Sequence, residues 1–361
     1  MIQASSNHPT PELDLDLSDT HISAGPALLG VLDTHMSIDP AQPGKQHGHL
    51  VLPYSDSAGL AHLRLPVCSI RGSQPGPTIT LIGGVHGDEY EGALTLHRLA
   101  RELKAETVHG CLLIVPALNS PGIATGRRDL PISGENLDLC FPGKLHGTVG
   151  ERLAREVVER LIRPADLVLD LRSGGRGLQF ADSAAVRSVG VRNCSGSELS
   201  EAAMIAFGAP NCVRLPASAG PGCLQASVES AGKAYVQSEL GGGGGCTRQA
   251  LEVARIGCLN VLRYMGVLNE EVQLRASRML EVRDNSFFVH APVAGLLEPF
   301  AQPGGDVWQG DTLACLMNLD LPAMDAHRVL VPRNGVLLAL HHGGPVRAGE
   351  LIGILADEVQ R

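Results

Sequence analysis

The sequence lacks the segments that would carry a protein into or across a membrane. No apolar run approaches about 18 residues, so no membrane span is predicted. No basic stretch precedes an apolar core near the N-terminus, so no signal peptide is predicted. Residues 1–35 are instead polar and acidic, and we expect them to form a flexible leader.

Positive charge is also scarce in this sequence. The formal net charge is −9 and no basic cluster is present, which argues against a nucleic-acid partner. The nine cysteines are odd in number, and no two of them lie within a CxxC spacing. In a chain of 361 residues this pattern indicates reduced, mostly buried thiols in a cytoplasmic protein.

Residues 78–92 contain the most informative pattern of the chain. Thr78–Ile82 is apolar and rich in β-branched residues, which predicts a buried strand, and two glycines end it. His86 and Glu89 follow, at a spacing that points both side chains the same way on a helical turn. An imidazole and a carboxylate so placed could share one divalent ion. The H-x-x-E pattern also arises by chance, so a surface turn is the alternative.

Strands alternate with helices over residues 78–265, which predicts an α/β fold with a mixed sheet and helices on both faces. A hairpin is expected at the edge of this sheet, and residues 36–283 are predicted to form the main domain. Ser120–His146 is predicted to be a long loop, too polar and glycine-rich for a core element. The predicted strands are Thr78–Ile82, Cys111–Ala117, Ala165–Leu171 and Ala234–Glu239, and the predicted helices are Ala93–Leu103, Gly150–Ile162, Glu198–Phe207 and Gln249–Met265.

The pattern of the sequence changes in residues 284–361, where short β-runs are separated by glycine turns. Two half-repeats have the form strand, Pro-x-x-Gly, strand, Val-x-x-Gly-Asp/Glu, strand, which predicts a small β-barrel or barrel-sandwich domain. This pattern is similar to the fold of biotinyl and lipoyl carriers, which require an acceptor lysine. The last lysine of the chain is Lys233, so the domain is predicted to be structural or a lid.

Four sequence blocks together resemble the succinylglutamate desuccinylase/aspartoacylase family, the deacylase branch of the zinc carboxypeptidase-like fold. The closest likeness is to deacetylases of N-acyl diamino acids, and it extends from about Pro43 to the C-terminus. The resemblance implies a zinc-dependent hydrolase that cleaves an acyl group from a small N-acyl amino acid-like substrate. The predicted partner is this small molecule, and a homo-oligomer is left open. The blocks are GGVHGDEYEG, ENLDLCFPG, LDLRSGG and SELGGGG.

The resemblance also implies roles for individual residues. His86 and Glu89 match the first two zinc ligands of the family, Arg128 matches the arginine that polarises the scissile carbonyl, and Glu239 matches the carboxylate that activates water. Zinc with three protein ligands lowers the pKa of a bound water to about 7. A carboxylate then passes the water proton to the leaving amine, and an arginine offsets the oxyanion.

One departure from the family pattern affects the metal site. Arg172 stands where the family has the histidine that is its third zinc ligand. A guanidinium stays protonated and cannot bind zinc. Two unit charges about 4 Å apart interact with about 4 kcal/mol at an effective dielectric of 20, and a dication would meet about twice that repulsion. Candidate substitutes for the third ligand are Cys140, Asp138 and His146, in the long loop.

A second departure affects the substrate site. The family's Asn-Arg pair holds the substrate carboxylate, and here the segment reads Asn136-Leu137-Asp138-Leu139. Asp138 would repel a carboxylate, and Leu139 offers no donor. Asn136, Asp138 and Arg128 are therefore candidate substrate-binding residues for a substrate that either lacks this carboxylate or is bound differently.

These departures leave several hypotheses open. The first is a metal-dependent hydrolase whose third ligand comes from elsewhere, and analogy with the fold favours it. The second is a pseudoenzyme without zinc, in which Arg172 replaces the metal, pairs with Glu89 and Glu239, and the protein binds a small molecule or regulates a partner. The third is a two-ligand site that binds metal weakly while Arg172 points away.

Overall fold

The computed structural model describes residues 33–56, 59–187, 196–216 and 222–360. Most of the predicted leader, residues 1–32, therefore lies outside the described residues. The strands are β1 (His35–Met36), β2 (Gly44–Asp56), β3 (Gly59–Arg71), β4 (Gln74–Gly83), β5 (His109–Val115), β6 (Leu167–Arg172), β7 (Leu178–Phe180), β8 (Ser183–Arg187), β9 (Asn211–Leu215), β10 (Ala234–Glu239), β11 (Arg278–Glu281), β12 (Phe288–His290), β13 (Gly295–Pro299), β14 (Asp306–Val307), β15 (Thr312–Met317), β16 (His327–Leu330), β17 (Gly335–His341), β18 (Gly344–Val346) and β19 (Leu351–Glu358).

The helices lie mainly between the strands of the first 265 residues. They are α1 (Tyr90–Glu102), α2 (Ser120–Thr125), α3 (Val149–Val157, continued by a π-helical turn at Val158–Ile162), α4 (Ser197–Phe207), α5 (Leu224–Ser230) and α6 (Arg248–Tyr264), with 3₁₀ turns at Ala105–Thr107, Leu137–Cys140 and Asn285–Phe287. All the strands and helices predicted between residues 78 and 265 are present, with ends that differ by a few residues.

The main sheet has the strand order β1-β2-β3-β5-β4-β6-β10-β8-β9-β11-β19-β17-β14. Its centre is parallel, since β4 runs parallel to both β5 and β6, and β6 runs parallel to β10. The hairpin of β2 and β3 adds antiparallel strands on one side, and β8 is antiparallel to β10 on the other. The predicted mixed sheet is confirmed.

Helices cover both faces of this sheet, as predicted. Successive residues of a strand point to opposite faces, so Leu81 lies in one buried cluster and Ile82 in the other. The cluster of Leu81 contains apolar residues of α1, α4 and α6, and the cluster of Ile82 contains residues of α3 and α5. Packing on both faces buries the second half of β4, from Ile79 to Gly83, and nearly all of β6, which fixes the position of their carboxyl ends.

The carboxyl ends of β4, β6 and β10 meet at one edge of the sheet. Gly83 pairs with Leu171 in the register of β4 and β6, and Arg172 pairs with Glu239 in the register of β6 and β10. Helix α1 crosses close above β6 because Gly92 has no side chain: a Cβ there would come within 2.7 Å of Leu171 Cβ. In open α/β sheets, ligands bind at this edge.

The segment Ser120–His146 corrects one prediction. It contains α2 and a 3₁₀ turn, and Leu130, Leu137 and Phe141 are buried. The Asn119 side chain accepts a hydrogen bond from the Gly122 N–H at 3.0 Å and caps α2. The prediction of a loop without a core element was therefore wrong, because isolated apolar residues between polar ones show no helical or strand period.

The C-terminal strands form a second, antiparallel sheet and also extend the main one. The second sheet has the order β16-β15-β13-β18, and its apolar side chains share a buried cluster with β17 and β19. In the main sheet β11 pairs with β9 and β19, while β7 pairs with β17. The predicted fold class, an α/β fold with a small C-terminal β module, is confirmed, and the boundary at residue 283 stays a prediction.

Within the described ranges, no helix of the chain is both long enough and apolar enough to cross a membrane.

Candidate active site

His86 and Glu89 lie on the turn that joins β4 to α1, and Glu89 directly precedes the helix. Their side chains contact each other, with His86 Nδ1 2.7 Å from Glu89 Oε1, and both are nearly fully buried. The other ring nitrogen, Nε2, lies 3.1 Å from Asn136 Oδ1. That same oxygen accepts a hydrogen bond from the Asp138 N–H, so it presents an acceptor to the imidazole. Both ring nitrogens of His86 thus lie within hydrogen-bond distance of side-chain oxygens of the protein.

The Glu89 carboxylate has three hydrogen-bond partners, of which His86 is the first. Its Oε1 also accepts a hydrogen bond from Arg128 Nη1 at 3.1 Å, and its Oε2 accepts one from the Ser173 N–H at 3.1 Å. Burial alone would raise the pKa of Glu89, but contact with His86 and the charges of Arg128 and Arg172 outweigh burial and lower it. Glu89 is therefore an ionised carboxylate.

Arg128 approaches the site from the segment that follows α2. Its guanidinium lies between two acidic side chains, with Nη1 3.1 Å from Glu89 Oε1 and 3.9 Å from Asp88 Oδ1. The side chain is 48% exposed, whereas both carboxylates are buried. Arg128 is thus anchored at one nitrogen and still reaches solvent, as a group that meets a substrate must.

Arg172 ends β6 and is held at three nitrogen atoms. Nη2 donates to Asp138 Oδ1 at 2.7 Å, Nη1 donates to Asp138 Oδ2 at 3.2 Å, and Nε donates to Asp170 Oδ2 at 2.6 Å. Tyr235 Oη donates to the same Asp170 oxygen at 2.7 Å, and the Leu224 N–H donates to Asp138 Oδ1 at 3.2 Å. Bidentate arginine–carboxylate contacts of this kind are strong and fix geometry.

The pKa values of Asp138 and Arg172 reflect the contact between their side chains. Burial alone would raise the pKa of Asp138, but Arg172 outweighs burial and lowers it to about 2. Burial alone would lower the pKa of Arg172, but the charges of Asp170 and Asp138 raise it well above its usual value. The pair of Asp138 and Arg172 is therefore fully ionised at neutral pH.

The observed contacts of Arg172 correct two hypotheses about this residue. In the described part of the chain Arg172 pairs with Asp138 and Asp170, so the expected pairing with Glu89 and Glu239 is wrong. The hypothesis that Arg172 points away from the site is also wrong, because its charge acts on both glutamates. The negative charge of Asp138, expected to repel a substrate carboxylate, is instead paired with an arginine of the protein.

Glu239 is the last residue of β10 and lies beside Arg172 in the sheet register. Its Oε1 accepts a hydrogen bond from Gln237 Nε2 at 2.6 Å, while its buried Oε2 has no hydrogen-bond partner among the described residues. Burial, with the charge of Glu89, raises the pKa of Glu239 to about 8. A buried carboxyl oxygen without a partner is costly, which is typical of a functional group.

The three candidate substitutes for a third metal ligand do not complete a site. Asp138 is paired with Arg172, and His146 is exposed. Cys140 Sγ lies 3.5 Å from the Asn136 carbonyl oxygen, and burial raises the pKa of its thiol to about 12. In the ranges that the structure describes, no group of three or more His, Cys, Asp or Glu side chains is placed to hold a metal ion. The residues present do not fit zinc.

The structure adds site residues that the sequence reasoning missed. Asp88 is buried, and its Oδ2 accepts a hydrogen bond from the Arg176 N–H at 3.0 Å. Asp170 accepts a hydrogen bond from Arg172, and Tyr235 donates to the same oxygen of Asp170. Asp88 and Asp170 could have been identified from the sequence, because they lie inside the quoted blocks next to the residues that the family pattern marks. Tyr235 lies outside those blocks, so no sequence pattern indicated it.

Comparisons with known proteins agree with this architecture. The model of the succinylglutamate desuccinylase/aspartoacylase catalytic domain matches residues 75–265. N-alpha-acetyl-L-2,4-diaminobutyric acid deacetylase of Halomonas elongata is 35% identical over 320 residues, which cover 88% of this chain and 93% of that protein. The product-bound ectoine utilization protein EutE of Ruegeria pomeroyi superposes with a TM-score of 0.86 at 34% identity, over 90% of this chain and 99% of that one. A succinylglutamate desuccinylase from a Silicibacter species superposes with a TM-score of 0.86 at 33% identity, over 90% of this chain and 98% of that one.

Proposed function

This chain belongs to the succinylglutamate desuccinylase/aspartoacylase family, and from that premise we propose that it cleaves the amide bond of a small N-acyl amino compound. Its homologues include deacylases, which supports a hydrolase. The observation that carries the proposal is the convergence of His86, Glu89, Arg128 and Glu239 at the carboxyl edge of the central strands. Reaction with water would release a carboxylic acid and a free amine.

Arg128 is assigned to the acyl carbonyl. Glu89 holds one of its nitrogens at 3.1 Å while about half of the side chain remains exposed, so the guanidinium can donate to a substrate oxygen. A fixed donor that meets the developing oxyanion contributes roughly 3–4 kcal/mol to the lowering of a reaction barrier.

Glu239 is assigned to the transfer of a proton from water to the leaving amine. Its buried Oε2 has no hydrogen-bond partner in the described segments, and this leaves it available to a reactant. Because burial and the charge of Glu89 raise the pKa of Glu239 to about 8, the protonated form predominates at neutral pH. The ionised fraction of Glu239 accepts the proton of water, and the protonated form that results gives this proton to the leaving amine.

Zinc is not part of the proposed mechanism. The family is zinc-dependent in general, and His86 and Glu89 match two of its ligands. In this chain, however, Arg172 takes the third position, and both nitrogens of His86 already face acceptors. The donor set therefore does not support a step through a bound metal.

The substrate that we propose is an N-acyl diamino compound without a free carboxylate near residues 136–139. The similarity to a deacetylase named for N-acetyl-2,4-diaminobutyrate supports the diamine part. Leu139, in the family's arginine position, is 66% exposed and offers no donor, and Asp138 is already paired. A substrate carboxylate would therefore lack the partners that the family provides.

The test is a hydrolysis assay with two matched compounds, N-acetyl-2,4-diaminobutyrate and N-acetyl-1,3-diaminopropane, which differ only in the carboxylate. We expect acetate release from the second to exceed that from the first, and Glu239→Gln to lower both at least about a hundredfold. If the folded protein releases no acetate from either compound, the proposed function is contradicted. The pseudoenzyme hypothesis, which the comparisons do not favour, would then be the better one.

A further inference from the structure

We propose that Asp138 and Arg172 form a built-in ion pair that takes the place of a metal ligand, so that the pocket of this chain does not hold zinc. The two departures from the family pattern are then a single feature, because each residue supplies the charge that the other requires. This inference concerns what the pocket contains, and it does not depend on whether the protein catalyses hydrolysis.

Arg172 cannot leave its position easily. Three of its nitrogen atoms donate to carboxylates, Asp138 on one side and Asp170 on the other, at 2.6–3.2 Å. The side chain is only 11% exposed, so a rotation that broke these contacts would leave a buried cation unpaired. Tyr235 completes the arrangement by donating to Asp170. The guanidinium is therefore a fixed part of the pocket.

The ion pair is joined to His86 and Glu89 through short links. Asn136 Oδ1 accepts from the Asp138 N–H and lies 3.1 Å from His86 Nε2. On the other side, the N–H of Ser173, the residue after Arg172, donates to Glu89 at 3.1 Å. Arg172 is thus linked to the turn that carries both remaining candidate ligands, through Asp138 and Asn136 on one side and through Ser173 on the other.

The two remaining candidate ligands, His86 and Glu89, are hydrogen-bonded to each other. His86 Nδ1 lies 2.7 Å from Glu89 Oε1, and a metal ion bound by both would have to separate them. It would also take His86 Nε2 or Nδ1 away from an acceptor and approach the fixed charge of Arg172. Arg172 therefore supplies a fixed positive charge in place of a third ligand, which opposes the binding of a divalent ion.

The test measures zinc per chain by elemental analysis after dialysis against micromolar zinc, with cobalt absorption as a second readout of ligand geometry. The proteins are the wild type, Arg172→His, the double variant Asp138→Asn/Arg172→His, and Arg152→His. The last variant is the control, because Arg152 lies away from the pocket and donates to the Pro53 carbonyl oxygen. We expect one zinc per chain in the double variant and in Arg172→His, and none retained by the wild type and the control.

Two results would overturn the inference. One is a wild type that retains one zinc per chain and loses it in His86→Ala, since the pocket would then hold metal despite Arg172. The other is a folded double variant, by circular dichroism, that gains no zinc. If the variants do not fold, the zinc content of the wild type alone still tests whether the pocket holds zinc. A wild type that is free of zinc and inactive leaves this inference standing and contradicts the proposed function.

Discussion

Replacement of Asp138 by asparagine should destabilise the protein although the shape of the side chain hardly changes. Asp138 accepts two hydrogen bonds from Arg172 and one from the Leu224 N–H. Asparagine can keep one acceptor oxygen but loses the charge and turns an amide N–H₂ toward a guanidinium. Arg172 would then be left with Asp170 as its remaining charged partner.

The magnitude follows from the pKa of Asp138. Its pairing lowers the pKa from 3.8 to about 2, and each pKa unit is worth about 1.36 kcal/mol, so the charged pair contributes about 2 kcal/mol. Because the folded pKa lies below the unfolded one, this contribution is fully present above about pH 4. It is lost as the pH falls toward 2.

Urea unfolding at pH 7 measures the effect. We expect Asp138→Asn to lower the free energy of unfolding by about 2 kcal/mol. The control Glu102→Gln removes a carboxylate that is 44% exposed and paired with Arg255, and it should cost at most about 1 kcal/mol. The difference between wild type and Asp138→Asn should shrink between pH 4 and pH 2. Equal stability of the wild type and Asp138→Asn at pH 7 would refute the reasoning. A difference in stability between them that does not change with pH would refute it as well.

Three further predictions concern the site and its supports. Glu239→Gln should lower kcat at least about a hundredfold with an unchanged circular dichroism spectrum, and activity retained would remove Glu239 from the mechanism. Arg128→Ala should lower kcat about 10²- to 10³-fold, and Arg128→Lys should not restore it because a point charge lacks the fork of hydrogen-bond donors. Gly92→Ala should cost about 1–3 kcal/mol, because its Cβ would meet Leu171, and an unchanged melting temperature would contradict that.

The sequence predicted the centre of the fold well. The strand at Ala234–Glu239 has the predicted ends, and the buried strand before His86 is the predicted one with a longer start. Both contain runs of apolar or β-branched residues, Ala234–Val236 and Thr78–Ile82, which are typical of strands buried on both faces. The short strands β7, β8 and β9 were not predicted, because they are three to five residues long and show little alternation.

Several residues of the site were named from the sequence, but Asp88, Asp170 and Tyr235 were not, and neither was the contact between Asp138 and Arg172. Asp138 and Arg172 were identified as two separate departures, 34 positions apart in the chain. Their contact depends on how the segment at Leu137–Cys140 folds back over the end of β6, and no local pattern reports that. The expectation that Arg172 would pair with Glu89 failed for the same reason, since a nearer carboxylate was available.

The continuity of the main sheet has a consequence for any shortened form of this protein. A fragment ending near Arg283 would lose β17 and β19, and would therefore uncover the hydrogen-bonding edges of β7 and β11. Uncovered strand edges recruit other chains, so such a fragment should self-associate instead of behaving as an independent enzyme core. The C-terminal strands thus protect the edges of the sheet that carries the site from pairing with other chains.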